Sequence, residues 1–575
     1  MTRRPAWLTG VVVSAVALLA LVGGRIGPDV APPQVPQATT LPLTGAVQVC
    51  PGAQGVAAAS AEVVAVSLAD TGASEEADGA LALRTLPGAD VVPRLLGSTE
   101  TRGETVTAPA RPALAVRGEG ALAPGVVAQS VLAAARARTT GLASVTCPEP
   151  ARDVWFVAGS GQVGERATVV IGNPFDAPAV VDVTVWSETG PLPAAGTQDL
   201  GIPPQGTRQV SIDAVALGAR RTAVHVDVSL GRVGATMVLR EVSGADPQGV
   251  SWVSASAPPP RRAHVPGVPA AGERTLRLLT PGETDAIVSV RALTPSGPFT
   301  PVGLEAIDAP SGEVVDVDLG RLDDQVATLE VVSSEPVVSA VTVRQTADSG
   351  LSDLAVVGSV GTLDTVGATW VDAADGRSSQ LLVTAVADET PSAPEPPAPS
   401  PSASEDAAGG ASPSASESAT PAAEPSPEPT AAGDTPEPSE SADASPGPTT
   451  DGQQPADTDD STTQVVVRVL DPDGSTSTAT VVTVPTGATV EVPVDLDDGL
   501  AGAWLVLDPV GAGTVVAARE TTATISVPDP LAADTDRDGL WLDLVPIVGS
   551  TLTVVSPPVL ADVTAGLPRQ SSSSP

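Results

Sequence analysis

Three stretches of this chain can be laid on one another, and that internal repeat constrains the fold more than any other feature. The first carries Ala167–Gly172, then Val180–Trp186, then a turn through Glu188-Thr189-Gly190. The second has Thr275–Thr280, Ala286–Leu293 and Thr294-Pro295-Ser296-Gly297, and the third has Gln380–Ala387, Gln464–Leu470 and Asp471-Pro472-Asp473-Gly474. Each reads as two strands and a glycine-bearing hairpin turn. A Pro-x-Gly follows in all three, at Pro204, Pro310 and Pro485, and leads into alternating apolar and polar residues such as Val315-Asp316-Val317-Asp318. That alternation is the mark of a half-buried strand. A last strand runs to Arg240, Arg344 and Arg519, which stand 34, 32 and 32 residues after the glycine of the Pro-x-Gly. These arginines are expected at strand ends on the surface. The period, roughly 105 residues, with many short strands and Gly/Pro turns, predicts tandem Ig-like β-sandwich modules.

The third copy holds its period only if residues 389–462 are removed from it. That stretch is rich in Pro, Ser, Ala and Glu and contains 15 acidic and no basic residues. It lacks the apolar residues to build a core and is expected to be a long disordered insertion between the first two strands of the third repeat. Loop-closure entropy grows only logarithmically with length, so a sandwich tolerates such an insertion.

The sequence therefore divides into a cytoplasmic tip and membrane anchor at residues 1–25, a linker at 26–43 and a first β-rich module at 44–150. Ig-like repeats follow at 151–274, 275–379 and 380–556, with a tail at 557–575. Within the first module, residues 125–137 form the best helical candidate, a cluster of Ala, Val and Leu ahead of Arg136 and Arg138. The only two cysteines, Cys50 and Cys147, bracket this module and read as one disulfide in an oxidising compartment.

Arg3 and Arg4 precede an uncharged stretch from Pro5 to Gly24, and Arg25 follows it. About 19 apolar residues as a helix span about 28 Å, close to a bilayer core. The leading arginines favour the cytoplasmic side, which places the rest of the chain outside the cell. No small-x-small site ends the apolar run, so a single-pass anchor is the expected state, with a cleaved signal and a secreted chain as the alternative.

Composition then removes whole classes of chemistry. The net charge is −39 and every basic residue is arginine. Nucleic acid is not an expected partner, because phosphate binding needs clustered positive charge. Without lysine there is no P-loop lysine, Schiff base or Ser–Lys dyad. Gly159-Ser160-Gly161-Gln162-Val163-Gly164 has the spacing of a dinucleotide loop, but a Val-rich strand follows where a helix should open, so it reads as a glycine loop between strands. The two histidines, His225 in a strand and His264 after Pro-Pro-Pro-Arg-Arg, lie in no catalytic motif, and no G-x-S-x-G elbow is present. The chain is not expected to be an enzyme. Tryptophans at 155, 186, 252, 370, 504 and 541 are expected as module cores, although an exposed row of them would suit a glycan.

One segment has the pattern of a metal loop. Asp534, Asp536 and Asp538 with Gly539 stand at positions one, three, five and six of a calcium loop, with Val545 where a bidentate glutamate belongs and Asp543 as its substitute. Two readings stand: a calcium site made by these four aspartates, or a solvated acidic turn before a strand. No other cofactor is expected.

Cys147-Pro148, Val154-Trp155-Phe156-Val157-Ala158-Gly159 and Val170-Ile171-Gly172-Asn173-Pro174 together resemble a domain-of-unknown-function family of actinobacterial secreted or membrane-anchored proteins. Genes of that family often lie near a large membrane glycosyltransferase. The later repeats depart from the Asn-Pro, with Thr280-Pro281 and Glu389-Thr390-Pro391 in its place. The resemblance covers most of the ectodomain and carries no activity and no functional residues; it implies a cell-envelope context. The expected function is a non-catalytic envelope scaffold or adaptor whose ectodomain binds an envelope protein or a glycan-assembly partner. The alternative is a carbohydrate-binding sandwich array assisted by calcium.

Overall fold

The computed structural model describes residues 39–556 except 54–59, 69–78, 89–102, 108–111, 137–138, 194–195, 388–461, 473–474, 497–501, 529–534 and the single positions 245, 321, 323, 375 and 512. The expected membrane anchor, the disordered insertion and the C-terminal tail lie outside these residues, as does Asp534. No described helix is long and apolar enough to cross a membrane.

The chain is mainly β, in several antiparallel sheets, and its strands fall into four successive sets. The first comprises β2 (Gly45–Pro51), β3 (Ser60–Ser67), β4 (Gly79–Leu86), β5 (Gly103–Thr107), β6 (Ala113–Gly120), β7 (Val126–Arg136) and β8 (Thr139–Thr146). The second holds β9 (Asp153–Phe156), β10 (Glu165–Gly172), β11 (Ala179–Ser187), β12 (Gly190–Pro191), β13 (Leu200–Ile202), β14 (Thr207–Ser211), the one-turn helix α1 (Ile212–Val215), β15 (Thr222–Leu230), β16 (Gly234–Ser243) and β17 (Asp246–Val253). The third runs through β18 (Arg262–Val268), β19 (Glu273–Leu279), β20 (Ala286–Thr294), β21 (Gly297–Phe299), β22 (Ile307–Ala309), β23 (Val314–Asp318), β24 (Ala327–Ser333), β25 (Val338–Thr346) and β26 (Ser352–Gly358). The fourth is β27 (Gly367–Asp372), β28 (Arg377–Val386), β29 (Thr462–Leu470), β30 (Thr476–Pro485), β31 (Thr489–Val494), β32 (Gly502–Val510), β33 (Thr514–Pro528) and β34 (Asp536–Ile547). Before and after them, β1 (Thr39–Pro42) and β35 (Thr553–Ser556) pair with each other and bring the two ends of the described chain together.

Every set makes two sheets with one recurring strand order. The inner sheets are β5-β3-β7-β8, β14-β10-β16-β17, β23-β19-β25-β26 and β31-β28-β33-β34. The outer sheets are built on β2-β6-β4, β9-β15-β11, β18-β24-β20 and β27-β32-β29. The first set is thus a fourth copy of the repeat, although it lacks the Pro-x-Gly signature. Pairing also assigns β18 and β27 to the third and fourth sets, upstream of residues 275 and 380, where the repeat is first visible in sequence.

Local chemistry accounts for the strands. In β11 the residues Val181, Val183 and Val185 face inward while Asp182, Thr184 and Trp186 face outward. The hairpin turns join β11 to β12, β20 to β21 and β29 to β30, as expected. The Pro-x-Gly turns lead into β14, β23 and β31. Two of them are pinned to the preceding inner strand, Gly312 N–H donating to Thr280 O and Gly487 N–H to Ala385 O. Both glycines have positive φ, 74° and 78°.

The helical expectation for residues 125–137 is overturned: the segment is β7, paired with both β3 and β8. Ala128, Leu132 and Ala134 join the first set's own core, while Val127, Val131 and Ala133 pack against the fourth set. A strand apolar on both faces shows no alternation, and its sequence cannot be told from a buried helix.

The four sets close a cycle through their last strands: β8 packs on β17, β17 on β26, β26 on β34, and β34 back on β8. Apolar clusters run across each junction. Val250 and Trp252 of β17 enter the first core, Leu354 and Val356 of β26 the second, and Leu542 and Leu544 of β34 the third. A cluster around Trp370 and Trp504 joins the fourth set to Val64 and Val131 of the first.

At the centre sits a single carboxylate. Asp353 is fully buried, and its Oδ1 and Oδ2 accept N–H groups from Leu142 at 3.0 Å, Val250 at 3.3 Å, Leu354 at 2.9 Å and Leu542 at 3.1 Å, one from each set. Gly141 and Gly249 make room for it: a Cβ on either would stand 2.6 or 2.8 Å from Asp353 Oδ1.

Cys50 and Cys147 form the expected disulfide, tying β2 to the residue after β8 and so one sheet of the first set to the other. Replacing both by serine is expected to cost about 2–5 kcal/mol, since the bond closes a long loop in the unfolded chain. The check is the denaturant midpoint of the oxidised protein against the double variant, and equal midpoints would refute the contribution.

Candidate functional site

Among the described residues the expected calcium residues are not gathered into one site; Asp534 lies outside them. Asp536 and Asp538 begin β34, exposed, and pair in register with Pro528 and Ser526 of β33, so the segment after position 535 is a strand and not a wrapping loop. Asp543 is removed from the candidate set altogether. It is buried and bound, its Oδ1 accepting the Ser144 N–H at 2.8 Å and its Oδ2 facing the Arg519 guanidinium. Among the described residues no three or more His, Cys, Asp or Glu side chains could hold a metal ion.

The three recurring arginines also depart from expectation. Arg519 is 2% exposed, paired with Asp543 and donating from Nη1 to Trp370 O at 2.6 Å. Burial pushes the Asp543 carboxyl up and the Arg519 guanidinium down, each against the attraction of the other. Arg344 pairs with Glu241 of the preceding set, and Arg240 is half-buried. Period-two patterning marks a residue as facing away from its own core; it does not show that a neighbouring set covers that face.

The glycine loop at residues 159–164 joins β9 to β10, as expected, with positive φ at Gly159 and Gly164. His264 lies on β18, beside Glu330. Arg262 and Arg291 reach the same carboxylate at 2.9 and 2.7 Å. His264 first, then Arg291 and Arg262, hold Glu330 below the usual carboxylate range against its own burial. This is a closed ion cluster.

His225 is different. It stands on the outward face of β15, directly opposite Trp155 of β9. The two rings stack at 3.9 Å with an interplanar angle of 8°, and Trp186 of β11 stacks on Trp155 at 5.6 Å and 26°. Asp153 Oδ1 lies 2.7 Å from His225 Nε2 and fixes the imidazole in that plane. Three nearly parallel rings thus line the outer sheet of the second set. Pro259, Pro281, Gly282, Glu283, Thr284, Glu335 and Pro336 face them from the third set across a cleft of about 580 Å³. Trp155 is buried in the stack, while Trp186 and His225 are half-exposed. Trp252, Trp370, Trp504 and Trp541 are buried, as expected of core residues.

Two smaller clefts are also formed in part by the second set. One, of about 320 Å³, is formed by the glycine loop with Leu217 and Arg240. The other, of about 170 Å³, is lined by charges already paired, Arg277 with Asp316 and Arg344 with Glu241. The aromatic cleft alone of the three combines a size suited to a small ligand with flat apolar faces and flanking polar groups. Sequence reasoning named its tryptophans and His225 one by one but missed their convergence. The available signal was the outward phase of Trp186 and His225 on strands whose neighbouring Val residues face inward.

No curated protein matches the chain. Residues 99–393 match a family of unknown function (DUF5719), a span that begins just before β5, includes the whole second and third sets and the aromatic cleft, and ends just after β28. With more than half of its length matched, the chain belongs to that family of unknown function.

Proposed function

We propose that this protein is a non-catalytic scaffold of the cell envelope, built from Ig-like two-sheet modules, that holds an envelope protein or a glycan-assembly component on its outer faces. The observation that carries the reading is the closed cycle of β8, β17, β26 and β34 around Asp353. Its centre is occupied by strands and one saturated carboxylate, which leaves as free surface those parts of the outer sheets that no neighbouring set covers. Packing on both neighbours makes each set a fixed part of one body, the property wanted in a display scaffold. The β1–β35 pairing places residue 39 beside residue 556, so the apolar N-terminal segment would tether this body from one edge.

The test is photo-crosslinking in intact cells from sites on the outer sheets, with membrane fractionation of the full chain. The expected result is a specific envelope partner and a chain that stays with the membrane through an alkaline wash. No envelope partner from any outer-sheet site would overturn the scaffold reading, and a chain found free in the medium would overturn the tether.

A further inference from the structure

We infer that the cleft between the second and third sets is a carbohydrate site, which takes a neutral pyranose-containing oligosaccharide against Trp186 at the half-exposed end of the Trp186–Trp155–His225 stack. Three features converge on this ligand. The first is shape. A pyranose has a broad face of C–H groups, and it is matched by the outer face of Trp186, which ends the stack half-exposed in the cleft and can remove that face from water. Trp155 and His225 lie within 8° of parallel and Trp186 within 26° of Trp155, and the cleft volume of about 580 Å³ falls in the range of small-ligand sites.

The second feature is hydrogen-bond polarity. The polar side chains lining the cleft include Glu283 and Glu335, which are acceptors, and the hydroxyls of Thr184 and Thr284. A polyol donates hydroxyl protons to such groups. A proline-rich peptide, the other ligand suited to an aromatic groove, presents backbone carbonyls and lacks N–H groups at its prolines, so it would set acceptors against acceptors. The third is charge. Among the described residues no arginine lines the cleft itself, and with Glu335 paired to Arg261 behind it, Glu283 is the carboxylate that disfavours anionic sugars. For the same reason the chain's own Pro-rich stretch, with 15 acidic residues in 389–462, is a poor occupant.

The ring stack is held in advance of any ligand. His225 is fixed by Asp153, and Glu335 is fixed by Arg261, which donates to its Oε2 at 2.9 Å. Little side-chain entropy is then lost on binding. The inference is independent of the envelope location, because it is decided on purified protein.

The experiment titrates the full-length protein with neutral hexasaccharides of glucose, mannose, galactose and arabinose, and separately with a proline decamer, and follows tryptophan fluorescence and heat. At least one hexasaccharide is expected to bind and perturb the fluorescence. Trp186→Ala should weaken it tenfold or more, and Trp186→Phe should retain most of the binding because a ring face remains. Trp186 is half-exposed, so an unchanged melting temperature in both variants separates loss of the platform from loss of the fold. No binding by any of the four sugars at millimolar concentration, binding of the decamer in their place, or sugar binding indifferent to Trp186→Ala would each overturn the assignment.

Discussion

Replacing Asp353 with alanine is expected to be among the most damaging single substitutions in this protein, at roughly 3–5 kcal/mol, because it leaves buried N–H groups on all four strand sets without an acceptor. The carboxylate has two oxygens and four donors, which fills its acceptor capacity. Hydrogen exchange checks this locally. The amides of Leu142, Val250 and Leu542 should lose protection in Asp353→Ala, while amides in the outer sheets keep theirs. Unchanged exchange at all three would mean that Asp353 does not join the sets.

The same residue sets a pH dependence. Burial pushes its carboxyl well above the ordinary aspartate value, against the four N–H groups that favour the charged form. An unfolded aspartate ionises near pH 4, so above that pH the unfolded chain releases a proton that the folded chain still holds. Stability contributed by this group therefore falls as pH rises from about 4 toward its folded pKa and levels beyond it. Asp353→Asn, which resembles the protonated acid, should show a flatter stability curve than the native protein over that window. The difference between the two curves isolates this carboxyl from Asp543, Glu241 and Glu520, which burial also raises.

The second large effect is expected at the Arg519–Asp543 pair, which locks the fourth set to the first. Asp543 accepts the Ser144 N–H of β8, and Arg519 donates to Trp370 O. Removing either partner leaves the other as an unpaired buried charge, a cost of about 3–5 kcal/mol. Asp543→Leu and Arg519→Met should each reach that loss, whereas the double variant should recover much of it, since an apolar pair of similar volume needs no desolvation of charge. Denaturant unfolding of the four proteins gives the coupling directly. Additive losses would show that the two side chains act separately, and calcium should restore none of the single variants because Asp543 is not a metal ligand here.

How much of this was legible beforehand follows from what a strand pattern encodes. The phase of Val181, Val183 and Val185 is written in β11, and so are the hairpin turns and the Pro-x-Gly that introduces β14, β23 and β31. With two cysteines in the chain the disulfide partners were fixed as well. These features are local, or involve so few candidates that no geometry is needed. The fourth copy of the repeat was hidden because β7 is apolar on both faces, covered by its own set on one and by the fourth set on the other.

Asp353 in Leu351-Ser352-Asp353-Leu354 reads as an ordinary acidic residue, and Asp543 as part of an acidic loop. Both became interior groups only when the last strands of four sets packed around one axis, since the donors that satisfy them come from residues up to several hundred positions away. The aromatic cleft has the same origin. The sequence by itself determined which side chains leave each core, through the two-residue period of the strand; only the tertiary structure decided which of those faces would meet another set, close over a charge, or stay open to a ligand, because that depends on how the copies pack against one another and not on the order of residues within any of them.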